Sequence, residues 1–280
     1  MSYAQGIELN GTISAQDNQI KNLQDPTEAQ DAVTLSVLLE KISALQGQIS
    51  ALQATTGSGT VTDIDGNSYA FLTYGNQVWT VENAEMETYR DGTPIPQITE
   101  TGDWAALTTG AWCYYENDET KGKLYNWYAV MGIHDADSSS DPSLRKEFAP
   151  EGWHVPTDAE WTTLEEYLIA SGYNYDGTTT GNKIAKAMAS TTGWSTSTEL
   201  GAVGNNQSLN NSSGFNAFPE GYRIYSGWFN NEGSATFFWS STEDDTSNAW
   251  DRFLFSDASY LVRYSSANKR GGYSVRFVRD

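Results

Sequence analysis

The sequence predicts an α+β chain in which one large domain, richer in strands and turns than in helices, follows a short coiled-coil helix. Three observations carry this reading. Apolar residues recur at heptad spacing over residues 34–53. Aromatic-rich phrases broken by Gly, Asn and Asp fill the chain from about Val61 to Asp280. One strong helix start, Thr157-Asp158-Ala159-Glu160, stands among them.

Residues 1–33 are polar, and Tyr3 is their only aromatic residue, so they can hardly bury a core alone. In residues 34–53, Leu35, Leu38, Ile42, Leu45, Ile49 and Leu52 are spaced 3, 4, 3, 4, 3, the a/d seam of a coiled coil. Gly47 falls at an outward position. The seam is about 27 Å long at ~1.5 Å per residue, too short to be stable without assembly. The bland alternative is an amphipathic helix packed on its own domain; the strict alternation favours the coiled coil. Ile at a with Leu at d leans toward two strands. Ala54-Thr55-Thr56-Gly57-Ser58-Gly59-Thr60 reads as a flexible linker.

Within 61–280, Asp63-Ile64-Asp65-Gly66-Asn67 predicts a turn into a strand, and Tyr74-Gly75-Asn76-Gln77-Val78-Trp79 a tight turn and another strand. Thr157 and Glu160 form a capping box. Trp161, Leu164 and Leu168 then line one helical face as far as Ser171-Gly172. Further helices are expected around Leu124–Met131 and Ile184–Ala189, and strand and loop from Gly214 to the end.

Composition limits function. Lys+Arg 16 against Asp+Glu 36 gives a net charge of −20, which argues against nucleic acid and against adhesion to an anionic bilayer. No stretch approaches the ~20 apolar residues of a membrane span. The amino-terminal residues show no basic start, apolar run or cleavage signal, so the expected route is cytoplasmic assembly. With Cys113 as the single cysteine, no internal disulfide forms, and Cys113 is expected to be a buried apolar residue. His154 in Trp153-His154-Val155-Pro156 is expected to hydrogen-bond and fix a corner. No Ser-His-Asp spacing, HExxH or phosphate loop is present. Asp63-x-Asp65-Gly66-Asn67 starts like a calcium loop, but Tyr74 stands where the bidentate Glu should be. No enzyme activity, cofactor or metal is expected. Glu243, Asp244 and Asp245 form the densest acidic cluster, and read as solvated surface before an acid/base pair.

Two resemblances extend the reading. Asn22-Leu23-Gln24-Asp25-Pro26-Thr27, followed by Asp31-Ala32-Val33-Thr34, resembles a signature near the amino termini of phage tail-fibre proteins, which implies a tail-attachment segment at 1–33 and leans toward a homotrimer. In the large domain, Gly75-Asn76-Gln77-Val78-Trp79, Asp91-Gly92-Thr93-Pro94-Ile95-Pro96 and Leu124-Tyr125-Asn126-Trp127-Tyr128-Ala129-Val130 occur in order. They precede Gly152-Trp153-His154-Val155-Pro156-Thr157-Asp158-Ala159-Glu160-Trp161, Gly221-Tyr222-Arg223, Trp239-Ser240-Ser241-Thr242-Glu243 and Ser274-Val275-Arg276-Phe277-Val278-Arg279-Asp280. Together these resemble the Fibrobacter succinogenes major paralogous domain. The resemblance implies a C-type-lectin-like fold of the formylglycine-generating-enzyme branch, with both domain ends in one sheet and a carboxyl-terminal binding surface. The copper chemistry of that branch needs two cysteines and is not carried over.

In 239–270, Trp250, Arg252 and Leu254 alternate with Asp251, Phe253 and Phe255, the period of a two-faced strand. The resemblance implies scaffold for the first set and a variable surface for the second. Asp244, Asp245, Ser247, Asn248, Asp251, Phe253, Phe255, Asp257, Ser259, Tyr260, Tyr264, Ser265 and Asn268 are then expected to be displayed. Their mix of aromatic and short polar side chains is that of a paratope; the bland alternative is an ordinary half-exposed strand pair. Relatives of this type are rewritten by diversity-generating retroelements. Adenine-directed mutagenesis of Asn codons cannot yield Trp, Gln, Lys, Glu or Met, and between Asp244 and Asn268 only Trp250 breaks that rule.

The expectation is a virion-borne phage tail-fibre subunit that binds a glycan or protein receptor on a bacterial surface and meets other tail proteins through its amino terminus. A bacterial cell-surface adhesin of the same domain family is the runner-up, and a polysaccharide-degrading tail spike the third reading. Ile42→Lys with Leu45→Lys is expected to dissociate the oligomer, and light scattering that shows an unchanged mass would rule out the stem.

Overall fold

A computed structural model describes Lys41 and residues 58–280. Lys41 is helical and exposed. The tail-attachment segment and the seam residues Leu35, Leu38, Ile42, Leu45, Ile49 and Leu52 lie outside the described residues. The chain divides after Thr55, and the unit Thr56–Asp280 is the one described below.

Two five-stranded sheets and a two-stranded pair make up most of its regular structure. The first sheet holds β1 (Ser58–Thr62), β2 (Ser68–Tyr74), β3 (Gln77–Thr80), β12 (Val278–Arg279) and β6 (Trp153–His154), in that order across the sheet. The second holds β11 (Val262–Asn268), β10 (Asn248–Phe255), β9 (Ala235–Glu243), β7 (Glu220–Arg223) and β8 (Phe229–Glu232). The pair is β4 (Trp112–Cys113–Tyr114) with β5 (Lys123–Tyr125). Helices are few: α1 (Thr101–Ala105), α2 (Trp127–Val130), α3 (Ala136–Ser140), α4 (Asp158–Ala170) and α5 (Ala185–Met188) among the described residues. The composition is α+β, and the first and last strands of the described unit share one sheet.

Differences from expectation have local causes. β1 begins at Ser58, so Ser58, Gly59 and Thr60 are not linker. They pair with Leu72, Phe71 and Ala70, and Gly59 lies under the Phe71 ring, where a Cβ would meet Cζ at 2.6 Å. The helix expected over Leu124–Met131 shrinks to one turn. Tyr125 is spent on pairing with Trp112 and Tyr273. Asn126 then caps α2, accepting from the amides of Ala129 at 2.9 Å and Ala111 at 3.0 Å. Gly132 ends the turn at φ +67°, with its Cα facing the Lys146 backbone so closely that a Cβ would lie 1.8 Å from a carbonyl.

The aromatic residues fill two large cores. Trp79, Trp161, Phe215 and Phe238 meet in one, with Trp79 and Trp161 centroids 4.7 Å apart. Tyr69, Tyr125, Phe148, Trp239, Tyr273 and Phe277 meet in the other. Buried indole nitrogens find carbonyls: Trp239 Nε1 donates to Tyr125 at 2.8 Å and Trp127 Nε1 to Ser240 at 3.0 Å. Cys113 is fully buried, and burial pushes its thiol up to about 12. Asp63 closes a turn, its own amide donating to the Asn67 carbonyl and its carboxylate accepting the Asn67 amide, each at 2.9 Å.

α4 packs against β9 and β10 of the second sheet. Its capping box is present, with Thr157 accepting from the Glu160 amide and Glu160 from the Thr157 amide. Trp161, Leu164 and Leu168 are fully buried, each contributing about 1.5–3 kcal/mol or more of apolar burial. His154 fixes the corner before it, its Nδ1 2.6 Å from Asp280 and its Nε2 2.8 Å from Glu160.

The first residue of the helix, Asp158, holds two arginines. Arg252 Nη1 lies 2.7 Å from Oδ1, and Arg263 reaches Oδ1 and Oδ2 at 3.0 and 2.7 Å. Burial raises the Asp158 carboxyl, but the two guanidiniums outweigh it and hold it below the usual range. Asp158→Asn is expected to cost about 3–5 kcal/mol, because it strips the buried Arg252 of its counter-charge. A lowered acid contributes stability above its unfolded value near pH ~4 and loses it as pH falls. Urea unfolding should therefore show the wild type and the variant converging in acid; a gap that is constant with pH would dismiss the ion triad.

Candidate functional site

Strands β9, β10 and β11 form the candidate face. Phe237 pairs with Phe253, and Asp251 lies between Trp239 on β9 and Tyr264 on β11. The register shifts between Ala249 and Asp251 on both sides of β10. Trp250 is thereby set opposite extra partner residues, and the strand twists locally.

The back of β10 is scaffold. Arg252 and Leu254 are buried, and Trp250 is half-buried with the Arg263 guanidinium 4.1 Å above its ring. Asp158 ties this face to α4. Its amide also donates to Thr242 Oγ1 on β9 at 2.9 Å, so one residue touches all three strands.

The front is a ladder of rings. Tyr273 stacks on Trp239 at 4.2 Å and meets Phe237 at 5.2 Å. Phe237 meets Tyr222 at 4.5 Å and Phe253 at 4.8 Å. Phe253 continues to Phe255 at 5.2 Å and Tyr264 at 6.4 Å. Burial falls along this ladder. Trp239 is fully covered, Phe253 and Phe255 are half-buried, and Tyr264 is 48% exposed.

The thirteen expected residues separate along the strand pair. Asp244, Asp245 and Ser247 are exposed in the β9–β10 loop, with Asn248, Ser265 and Asn268 half-buried at or near that end. Phe253, Phe255, Ser259, Asp257 and Tyr260 lie toward the other end, where Tyr260 is 51% exposed. The distance along β10 from Asn248 to Phe255 is about 23 Å at ~3.3 Å per residue, so the loop and the aromatic end are two groups. The acidic loop is held in shape. Lys269, itself buried, binds the Glu243 carboxylate and the carbonyls of Asp245 at 2.8 Å and Thr246 at 3.1 Å, with its ammonium 4.6 Å from the Trp127 ring. Asp245 accepts the amides of Ser247 and Asn248 at 2.7 and 2.8 Å. These bonds keep Glu243 and Asp245 occupied as structure.

Asp251 is a correction. It alternates with the scaffold residues as expected, yet it is 1% exposed and not displayed. Its register neighbours on this face are Tyr264 and Trp239, and Tyr273 stacks on Trp239. Its Oδ1 finds no hydrogen-bond partner among the described residues. Burial drives its carboxyl well above the usual range, against the weaker pull of Arg252. Tyr222, Phe237 and Tyr273 were not among the expected site residues. No local signal marks them, because β7 and the 273 segment reach this face only through sheet topology.

Asp251→Asn keeps the shape and removes the titration. A raised acid stabilises the fold below its unfolded value and costs stability as pH rises toward the folded value. The variant should match the wild type near pH ~4 and gain about 1.4 kcal/mol per pH unit above it until the raised value is reached. Thermal or urea unfolding at neutral pH in which the variant is the weaker protein would show that the carboxylate is ionised in the fold.

Among the described residues, no group of three or more His, Cys, Asp or Glu side chains is placed to hold a metal ion, and no helix is long and apolar enough to cross a membrane. No curated protein and no solved structure matches the chain. The model of the Fibrobacter succinogenes major domain matches residues 72–279. That span takes in α4, its Asp158 anchor and all three strands of the candidate face, and the chain belongs to the Fibrobacter succinogenes major domain family.

Proposed function

We propose that this chain is a receptor-binding subunit of a phage tail fibre, and that it binds a bacterial surface receptor without enzymatic chemistry. The observation that carries the reading is the contrast between the two sides of β10. The back is locked by Asp158, Arg252 and Arg263, while the front opens at Tyr264, and Tyr264 and, in the β10–β11 turn, Tyr260 stand about half-exposed among Ser, Asn and Asp. Rigid rings supply contact area at low entropic cost, and short polar groups adapt to a partner. Among the large exposed apolar residues of the described unit, only these two fall within 239–270.

The C-type-lectin-like fold is part of this proposal. The first and last strands in one sheet, and a second sheet carrying the aromatic face, fit such a domain. The heptads at 34–53 would gather copies into a homotrimer, and 1–33 would attach to other tail proteins. Weak single contacts then gain about 10²–10⁴ through tethering. The surface charge suits a particle that must not stick to nucleic acid or lipid.

Phe253 and Phe255 pack on the core, so replacing them mixes folding with binding. Tyr260→Ala with Tyr264→Ala is the cleaner test. The double variant should keep its melting temperature within a few degrees and reduce host adsorption at least ~10-fold, the loss that about 1.4 kcal/mol produces. Undiminished adsorption by particles carrying the variant would reject this surface.

A further inference from the structure

Away from β10 and β11, Phe218 and Glu220 stand between two clefts and line both. Each cleft has a volume of about 400 Å³, within the range of small-molecule sites. The first is walled by Asn67, Ser68, Asn83, Glu85 and Asn216, with Arg276 at its base. The second is walled by Thr120, Lys121, Gly122 and Glu232. Neither shares a residue with the aromatic ladder.

The ridge between them is held from both sides. The Ala217 amide donates to the Met188 carbonyl at 2.8 Å, and the Gly233 amide to the Pro219 carbonyl at 2.8 Å. Phe218 nevertheless leaves 43% of its surface exposed. Arg276 is buried and donates to Asn83 Oδ1 at 2.6 Å and to the carbonyls of Phe215 at 3.0 Å and Asn216 at 3.3 Å. Asn83 in turn donates to Glu220 Oε2 at 2.7 Å, which also accepts from Ser274 at 3.1 Å. Gly122 passes so close to Glu220 that a Cβ would lie 2.6 Å from either carboxylate oxygen. The polar walls are thus ordered before any ligand arrives, which lowers the entropic cost of binding.

The chemistry of the walls selects a ligand. Amides and carboxyls left facing an apolar molecule would lose hydrogen bonds to water without replacement. An anion meets Glu85, Glu220 and Glu232, while Arg276 is already engaged and Lys121 is paired with Glu232. A hydroxyl-rich neutral molecule both donates and accepts, as these groups do, and its C–H faces suit the Phe218 ring. Two adjoining clefts either side of one ring call for a chain of at least two linked units. We propose that the two clefts form one site that takes a neutral oligosaccharide across Phe218, separate from the β10–β11 surface. The carboxyls support this. Burial lifts Glu85 to about 7, so near neutrality it can both accept from and donate to a hydroxyl, and burial raises Glu220 as well.

The test is retention of the full chain on an array of neutral di- to tetrasaccharides, with uronic-acid oligomers beside them. Wild type should be retained by one or more neutral members and by none of the uronic-acid oligomers. Phe218→Ala should weaken retention at least ~10-fold with an unchanged melting curve; where its melting curve shifts, Phe218→Leu, which keeps apolar bulk and removes the ring face, gives the same reading. No neutral member retained, equal retention by the Phe218 variant, or equal retention of uronic-acid oligomers would overturn the proposal. Retention lost in Tyr264→Ala but kept in Phe218→Ala would move the glycan to the β10–β11 face and likewise overturn it, while leaving the receptor reading intact.

Discussion

One carboxylate organises the second sheet. Asp158 sits in the first turn of α4, where the partial positive charge of a helix start already favours an anion. Its amide reaches β9, and its two oxygens reach Arg252 on β10 and Arg263 on β11. Arg252 has no exposed surface, so the ion pair cannot be replaced by water. Arg252 also keeps an unpartnered Nε, which makes its remaining bonds to Asp158 and Thr162 the more costly to lose. The same contact carries Arg263 across Trp250, so the ring that breaks the pattern of its neighbours is held by the anchor of the whole face.

With the back fixed in this way, the front of the three strands is graded. Its inner end is core: Trp239 stacks on Tyr273 and gives its indole proton to the Tyr125 carbonyl. Its outer end is open at Tyr264. Phe253 and Phe255 lie between and serve both sides, in contact with Phe237 and half-covered. Asp251 marks where the core stops admitting polar groups cheaply. Its Oδ1 has no hydrogen-bond partner among the described residues, and burial among the rings raises its carboxyl well above the usual range.

Much of this was legible along the chain where the cause is local. The capping box at Thr157 and Glu160, the buried face of Trp161, Leu164 and Leu168, the burial of Cys113 and the corner held by His154 each follow from a few neighbouring residues. The alternation in 250–255 put Arg252 and Leu254 on the same side of the strand, and both are buried. It failed at Asp251, because period two says which way a side chain points and not whether another segment covers it; Tyr273, distant in sequence, stacks on Trp239, the β9 neighbour of Asp251. Asn126 shows the same limit in a helix: an apolar run read as continuous was cut by a side chain that caps α2 and also bonds Thr109 and Ala111. The partners of Asp158 and the clefts beside Phe218 depend on pairings across about 50 to 200 residues of sequence, and nothing in their spacing announces them.

The two candidate surfaces differ in what holds their shape, and the difference bears on how each can change. Around Phe218 the groups that line the clefts are also the groups that hold them: Asn83, Glu220 and Arg276 bond one another, and Arg276 bonds the backbone beneath the ring. A substitution at any of these disturbs the neighbours, so recognition there is confined to ligands that fit one arrangement. Tyr260 and Tyr264 project about half their surface from strands and turns secured elsewhere, by Asp158 behind and Asn182 at the turn, where Asn182 bonds the backbone of Leu261 at both its amide and its carbonyl. Exposed side chains of this kind usually alter stability by no more than about 0.5 kcal/mol when replaced. Side chains held that way can be exchanged while the domain beneath them stays the same.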